Sequence, residues 1–222
     1  MLKGVIFDLD GVLIETEKET FKFYQKKFSE AGLELKDGDF KFKAGRKSHD
    51  FFNDVLTKED RKKIDPEKLL REKRELFNTK IDQYAKKVTG GKKLIEWIYD
   101  QGLPMALASQ NEPRMIESAL KWLGIKQYFQ VVLTLDDIKN KKPDPEIYLL
   151  ALKRLKLKAT ECIVIEDSQS GVEAARNAGI FCVGIYHDYM PNDSLELVNK
   201  IVYSLSEIKF LIRKWNPHGD ST

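Results

Sequence analysis

Residues Val5–Val12 of this 222-residue chain read VIFDLDGV, an apolar run that leads directly into two carboxylates and a glycine. A short, continuous apolar run is typical of a strand that is covered on both faces. Asp8 would then lie at the exposed end of the strand, and Asp10 on the turn that follows. Two such acids suit a metal site or a nucleophile with a proton carrier, although solvated acids at a strand end are an equally simple interpretation.

Three more polar positions occur downstream, and each has a plain structural alternative. They are Ser109 after the apolar run Met105–Ala108, Lys142 in the segment KKPDP, and Glu166 with Asp167 after Cys162–Ile165. Ser109 could merely help to start a helix, Lys142 could belong to a solvated basic loop, and Asp167 could cap a helix. These structural alternatives explain each motif alone, but they do not easily explain all four motifs in one chain.

In this order, the four motifs resemble the haloacid dehalogenase superfamily, and within it the phosphatases and mutases similar to β-phosphoglucomutase. The resemblance extends from Met1 to about Ile185. It implies an α/β fold in which a Rossmann-like parallel sheet has the strand order 5-4-1-2-3 and an α-helical cap domain is inserted after the first strand. That order would bring Asp8 between the strands that end at Ser109 and at Glu166.

The pattern along the chain agrees with this organisation. From about residue 90 onward, apolar runs alternate with helical periodicity, which favours a parallel sheet with right-handed crossovers. Between residues 15 and 88 the sequence shows no convincing buried strand, and Phe21, Tyr24 and Phe28 fall on one helical face. We therefore predict a catalytic core over residues 1–14 and 89–215, a helical cap over 15–88 and a mobile tail over 216–222.

Composition limits the function classes and partners. The chain is 42% hydrophobic and 33% charged, yet its formal net charge is only +3, which does not indicate nucleic-acid binding. No segment has the length of a membrane span or the pattern of a signal peptide. Two cysteines in apolar runs suggest reduced, buried thiols. We expect a cytoplasmic protein, a monomer or weak homodimer, without nucleic-acid or membrane partners.

The acids suggest how phosphoryl transfer would proceed. The carboxylate of Asp8 can attack phosphorus and form an aspartyl phosphate. Because two anions repel, Asp8 and Asp167 would share Mg²⁺, with Glu166 nearby as a further ligand or as a support. By resemblance to the family, Asp10 adds its backbone carbonyl to the metal and its side chain serves as general acid and then as general base.

Phosphate binding is predicted from hydroxyl, amide and ammonium groups. Ser109 can donate a hydrogen bond to a phosphate oxygen, and the amides near Gln110 and Asn111 would open a helix and favour an anion. We expect Asn111 to cap that helix. Lys142 offers a point charge to the same phosphate; Lys141 competes with it, but the family pattern places lysine immediately before proline.

The cap is expected to select the substrate. The stretch GRKS at residues 45–48 resembles the substrate-specificity loop of the family, so Arg46 and Lys43 are candidate substrate-binding residues, as is Thr16 at the entrance. A solvated basic loop explains the same residues. The three histidines, His49, His187 and His218, are assigned no catalytic role.

The predicted activity is hydrolysis of a small phosphorylated metabolite. β-Phosphoglucomutases carry a histidine on the first cap helix and a lysine before the cap-loop glycine, where this chain has Thr20 and Ala44. Both differences weaken the mutase alternative. A phosphoryl-accepting signalling domain is disfavoured because such domains are shorter and lack a cap. A metal-binding interaction protein without activity is disfavoured by the intact motifs.

Overall fold

The computed structural model describes residues 1–40, 48–188 and 196–215, and it places the N-terminal apolar run in the middle of a parallel sheet. The strands are β1 (Gly4–Phe7), β2 (Ile14–Glu15), β3 (Lys86–Lys87), β4 (Met105–Ala108), β5 (Val131–Leu133), β6 (Cys162–Glu166), β7 (Phe181–Ile185) and β8 (Lys200–Val202). The helices are α1 (Glu17–Glu30), α2 (Ser48–Val55), α3 (Asp60–Lys63), α4 (Pro66–Thr79), α5 (Ile81–Tyr84), α6 (Gly91–Asp100), α7 (Pro113–Leu123), α8 (Glu146–Leu155), α9 (Gln169–Asn177) and α10 (Leu205–Trp215).

The main sheet has the order β5-β4-β1-β6-β7-β8, and all of its pairings are parallel. The predicted α/β class is confirmed. The first five core strands along the chain follow the expected order 5-4-1-2-3, but the sheet has a sixth strand, β8, at its edge. The sequence pattern missed β8 because Lys200–Val202 is short and buries only Val202.

Both faces of the sheet are covered, which explains the continuous apolar runs. Val5 and Phe7 of β1 point into a core shared with residues of α6, α7 and α10. Ile6 points to the opposite face, where it packs in a second core with residues of α8 and α9. Because consecutive residues of a strand face opposite sides, a strand buried on both sides must be apolar at every position.

The residues between β2 and β3 are mostly helical and have an aromatic core of their own. Tyr24 and Phe28 of α1 pack against Phe52 of α2, with ring centroids 4.8 and 6.2 Å apart. A short strand pair does occur at the ends of this segment, where Ile14–Glu15 pairs antiparallel with Lys86–Lys87. Glu15, Lys86 and Lys87 are not buried, in agreement with the prediction that residues 15–88 contain no buried strand. Two-residue strands give no period that a sequence pattern could show.

Two further observations bear on the compositional expectations. Cys162 and Cys182 are buried free thiols in β6 and β7. Among the described residues, no helix combines the length and the apolar character needed to cross a membrane.

Candidate active site

The carboxyl ends of β1, β4 and β6 bring distant residues together. Phe7 is in register with Leu107 of β4 and with Ile165 of β6. The next residues along these three strands are therefore neighbours, and the amide of Asp8 donates to the carbonyl of Ile165 at 3.0 Å. The predicted site residues Asp8, Ser109 and Glu166 therefore lie at the same edge of the sheet.

Lys142 lies at the centre of this edge. Its ammonium group donates to Asp8 Oδ1 at 2.6 Å, to Glu166 Oε1 at 2.6 Å and to the carbonyl of Ala108 at 3.2 Å. Its side chain is only 4% exposed. Burial lowers the pKa of Lys142, but the charges of Asp8 and Glu166 outweigh burial and hold it above its ordinary value. Lys142 is therefore a permanent buried cation shared by two acids, whereas Lys141 lines the neighbouring cavity.

Glu166 is completely buried, and both of its oxygens accept hydrogen bonds. Oε1 accepts from Lys142 and from the hydroxyl of Tyr148 at 2.7 Å. Oε2 accepts from the amides of Asp167 and Ser168 and from the Ser168 hydroxyl, at 2.9, 3.0 and 3.0 Å. Burial alone raises the pKa of Glu166, yet Lys142 and these donors bring it below its ordinary value. These contacts favour a supporting role for Glu166 over direct metal binding.

Gly171 of α9 makes room for this buried carboxylate. A Cβ atom built on Gly171 would lie 1.7 Å from Glu166 Oε1, far inside van der Waals contact. The helix begins at Gln169, and its N-cap Ser168 accepts a hydrogen bond from the Gly171 amide at 3.1 Å. The N-terminus of α9 therefore packs directly against the Glu166 side chain, and only a glycine at position 171 permits this close approach.

Three acids form a cluster of the kind that binds a divalent cation. One carboxylate oxygen from each of Asp8, Glu166 and Asp167 lies within 4.8 Å of the other two. Burial, helped by the charges of Glu166 and Asp10, raises the pKa of Asp8 to about 7, although Lys142 lowers it. Burial, together with repulsion from Glu166 and Asp8, raises the pKa of Asp167 well above its ordinary value. Crowded oxygen ligands with this much repulsion fit a hard cation such as Mg²⁺.

Asp10 lies apart from this cluster and borders the cavity. Its Oδ1 accepts from the hydroxyl of Thr16 at 2.8 Å, and its Oδ2 accepts from the side-chain amide of Asn111. Burial raises the pKa of Asp10, while the hydrogen bonds from Thr16 and Asn111 oppose that rise. A carboxyl with a raised pKa, held by two donors at a cavity wall, is well suited to carry a proton.

The segment Ser109–Asn111 differs from the prediction in one respect. Helix α7 begins at Pro113 with Glu112 as its N-cap, so Asn111 is not the cap. Its side chain instead donates to Asp10 and, at 3.1 Å, to Ser109 Oγ. Because Ser109 Oγ accepts that bond, its own hydrogen remains for another acceptor. Among the described residues, Gln110 Nε2 is buried without a hydrogen-bond partner.

A cavity of about 260 Å³ opens beside Asp10, Thr16 and Gln110. Helix α4 forms its opposite wall with several polar and apolar side chains, namely Leu70, Lys73, Arg74, Phe77 and Asn78. Arg74 Nε and Asn78 Nδ2 each contact a different oxygen of Glu112 at 3.0 Å. The predicted substrate-binding residues Arg46 and Lys43 lie outside the described residues.

The structure adds residues that the sequence interpretation missed. Asn111 and Tyr148 touch Asp10 and Glu166, and His187, which received no role, lies 3.8 Å from Asp167 Oδ2. The sequence predicts the Asn111 side chain only as a helix cap, and it does not identify Tyr148 as a site residue. A polar end on an otherwise buried helix face was the available signal for Tyr148.

Comparisons with known proteins agree with this arrangement. A family model for haloacid dehalogenase-like hydrolases matches residues 5–185. A phosphorylated carbohydrates phosphatase of Thermotoga maritima is 33% identical over 190 residues, which cover 84% of this chain and 86% of the relative. The fructose-1-phosphate phosphatase YqaB of Escherichia coli is 28% identical over 82% of this chain and 95% of the relative. The crystal structure of a β-phosphoglucomutase from Clostridium difficile shares the fold, with a TM-score of 0.71 and 23% identity, and the match covers 98% of this chain and 99% of that one.

The raised pKa values of the buried acids predict how the stability of the protein depends on pH in the absence of divalent cations. The pKa of Asp8 rises from 3.8 to about 7 on folding, so the folded state binds more protons than the unfolded state between these values. In EDTA, the free energy of unfolding should fall as pH rises through this window, by up to about 1.4 kcal/mol per pH unit for each such group. Urea denaturation at several pH values measures this slope.

Asp167→Asn should reduce the slope, because its amide does not titrate, whereas Asp100→Asn on the exposed end of α6 should not. The lowered pKa of Glu166 makes stability increase with pH only up to its ordinary value of 4.5, so the slope is read between about pH 5 and pH 7, and the raised pKa of Lys142 acts above this range. Stability that stays constant or increases from about pH 5 to pH 7 in EDTA would show that folding does not raise the pKa values of these acids.

Proposed function

Because the chain belongs to the haloacid dehalogenase-like hydrolases, we propose that it is a Mg²⁺-dependent phosphatase that cleaves a small phosphorylated metabolite through an aspartyl-phosphate intermediate. The observation that supports it best is that the buried Lys142 holds Asp8 at 2.6 Å, in an acid cluster with Glu166 and Asp167, while Asn111 connects Asp10 to Ser109. In this proposal, one site would combine a nucleophile, a proton carrier, a hydrogen-bond donor to phosphate and metal ligands.

Asp8 and Asp167 are the residues that we propose to hold Mg²⁺, with Asp10 contributing its backbone carbonyl. Glu166 supports them by holding Lys142, since both of its oxygens already accept hydrogen bonds. When bound, the cation supplies positive charge that offsets the repulsion between these acids and an incoming phosphate. The oxygen-only donor set is the one that Mg²⁺ prefers.

The first step forms a bond between a carboxylate oxygen of Asp8 and phosphorus, while the bond from phosphorus to the ester oxygen breaks. Lys142 holds Oδ1 of Asp8 and so orients the carboxylate for in-line attack. Asp10 transfers its proton to the departing ester oxygen. Ser109 donates its hydroxyl hydrogen to a non-bridging phosphate oxygen.

The second step reverses the role of Asp10. Its carboxylate accepts a proton from water as the water oxygen bonds to phosphorus, and the bond between phosphorus and Asp8 breaks to release inorganic phosphate. Thr16 and Asn111 hold the two oxygens of Asp10 throughout, so the same group can act as acid and then as base from one position.

The cavity beside Asp10 supports a substrate with a small polar leaving group. Gln110 Nε2 is a buried donor without an acceptor among the described residues, and Asn78 and Lys73 of α4 line the same cavity. A cavity of about 260 Å³ suits a group of sugar size. We therefore propose a phosphorylated carbohydrate or a metabolite of similar size, a class that includes the substrates named for the relatives of Thermotoga maritima and Escherichia coli.

Hydrolysis of para-nitrophenyl phosphate tests the nucleophile and the cation. Turnover should require Mg²⁺, and Asp8→Asn should lower kcat by at least about 10³-fold because the amide cannot form the covalent intermediate. Asp100→Asn, an isosteric change on the exposed end of α6, is the matched control and should leave kcat unchanged. An Asp8→Asn protein that folds and keeps more than a tenth of the activity would refute the assignment of Asp8.

A phosphosugar mutase is the second candidate, since β-phosphoglucomutase shares the fold. Thr20 is buried in α1 where mutases carry a histidine, and Ala44 lies outside the described residues. Incubation with β-glucose 1-phosphate and glucose 1,6-bisphosphate discriminates the two activities. We expect no glucose 6-phosphate beyond the amount that free phosphate release explains; its accumulation without comparable free phosphate would establish the mutase instead.

A further inference from the structure

His187 contacts two of the loops that form the active-site edge. Its Nε2 lies 2.8 Å from the carbonyl oxygen of Gly11 and 3.8 Å from Asp167 Oδ2. The side chain is only 16% exposed. A carbonyl oxygen can only accept, so Nε2 must carry a hydrogen and donate it to Gly11.

Gly11 in turn determines where Asp167 can lie. The residue has a φ of +66°, and a Cβ atom on it would lie 1.6 Å from Asp167 Oδ2. The turn that follows Asp10 is therefore pressed directly against the Asp167 carboxylate. A shift of Gly11 by a fraction of an ångström would change the space available to that carboxylate, which is one of the three clustered acids.

The backbone that carries His187 is itself anchored. His187 follows β7, and the amide of the preceding residue, Tyr186, donates to the carbonyl of Val202 in β8 at 2.9 Å. The edge strand β8 thus extends the sheet to the point at which His187 leaves it. The residues that directly follow β7 are therefore anchored to the sheet, and His187 among them contacts both Gly11 and Asp167.

From this geometry we infer that His187 is a positioning residue for the divalent cation: its Nε2–H bond to Gly11 fixes the turn that sets the place of Asp167. The inference rests on the metal site proposed above. Groups that orient the first ligands of a metal ion contribute strongly to its affinity, and their loss typically weakens binding 10–100-fold. His187 touches neither substrate nor reacting atoms in this role.

Binding of Mn²⁺, followed by the electron paramagnetic resonance signal of the free ion, tests the inference without turnover. His187→Leu keeps the bulk but removes the donor, and it should weaken Mn²⁺ binding about tenfold or more. His187→Gln places an amide N–H near the position of Nε2, and it should bind within about threefold of the wild-type protein. His49→Leu, on the exposed side of α2, is the matched control and should not change binding.

The thermal midpoint of each variant in EDTA separates positioning from general stability. We expect His187→Leu and His187→Gln to have similar midpoints while their Mn²⁺ affinities differ. Wild-type affinity in His187→Leu, equal losses of affinity in both variants, or no Mn²⁺ binding by the wild-type protein would each overturn the inference. Should the protein bind Mn²⁺ as expected yet hydrolyse no phosphate ester, the proposed phosphatase activity would fail while the role of His187 stands.

Discussion

The buried ammonium group of Lys142 is the constraint on which the rest of the site depends. It lies 2.6 Å from both Asp8 and Glu166, and all three side chains are almost removed from solvent. Isolated charges at this depth would be strongly destabilising, and removal of one partner from a buried pair typically costs about 3–5 kcal/mol. The arrangement persists because each of the three groups compensates another and because Tyr148 and two backbone amides complete the hydrogen bonds of Glu166.

The same cluster of buried acids destabilises the folded protein and prepares this edge of the sheet to bind a cation. Lys142 balances two carboxylates, but Asp167 and Asp10 add two further acidic groups, and the described residues include no other buried lysine. Burial, and after it the repulsion between these acids, raises the pKa of Asp8 and that of Asp167. A site that is destabilised when empty of cations is well prepared to bind one, since binding relieves the repulsion that folding has created.

Much of the fold and part of the candidate site could be predicted from sequence. The continuous apolar runs marked the buried strands, and the ordered motifs gave the family and hence the order of five strands. β8 was not predicted because it has three residues and one buried side chain, which give no recognisable strand pattern in the sequence. The site contacts of Asn111 and His187 were not predicted because they join residues about 100 and 176 positions apart in the sequence. No local sequence pattern indicates contacts over such separations. The choice of Lys142 over Lys141 came from family resemblance, and the structure places Lys142, not Lys141, on Asp8.

The most direct test is to identify the residue that becomes phosphorylated during turnover. The wild-type protein is incubated with acetyl phosphate and Mg²⁺, quenched in the steady state and reduced with borohydride. The reduction converts an aspartyl phosphate to homoserine, and peptide mass spectrometry locates the modified residue. We expect homoserine at residue 8 and at no other acidic position. Modification of a different carboxylate, or turnover with no acyl phosphate on the protein, would contradict the claim that Lys142 prepares Asp8 to attack phosphorus.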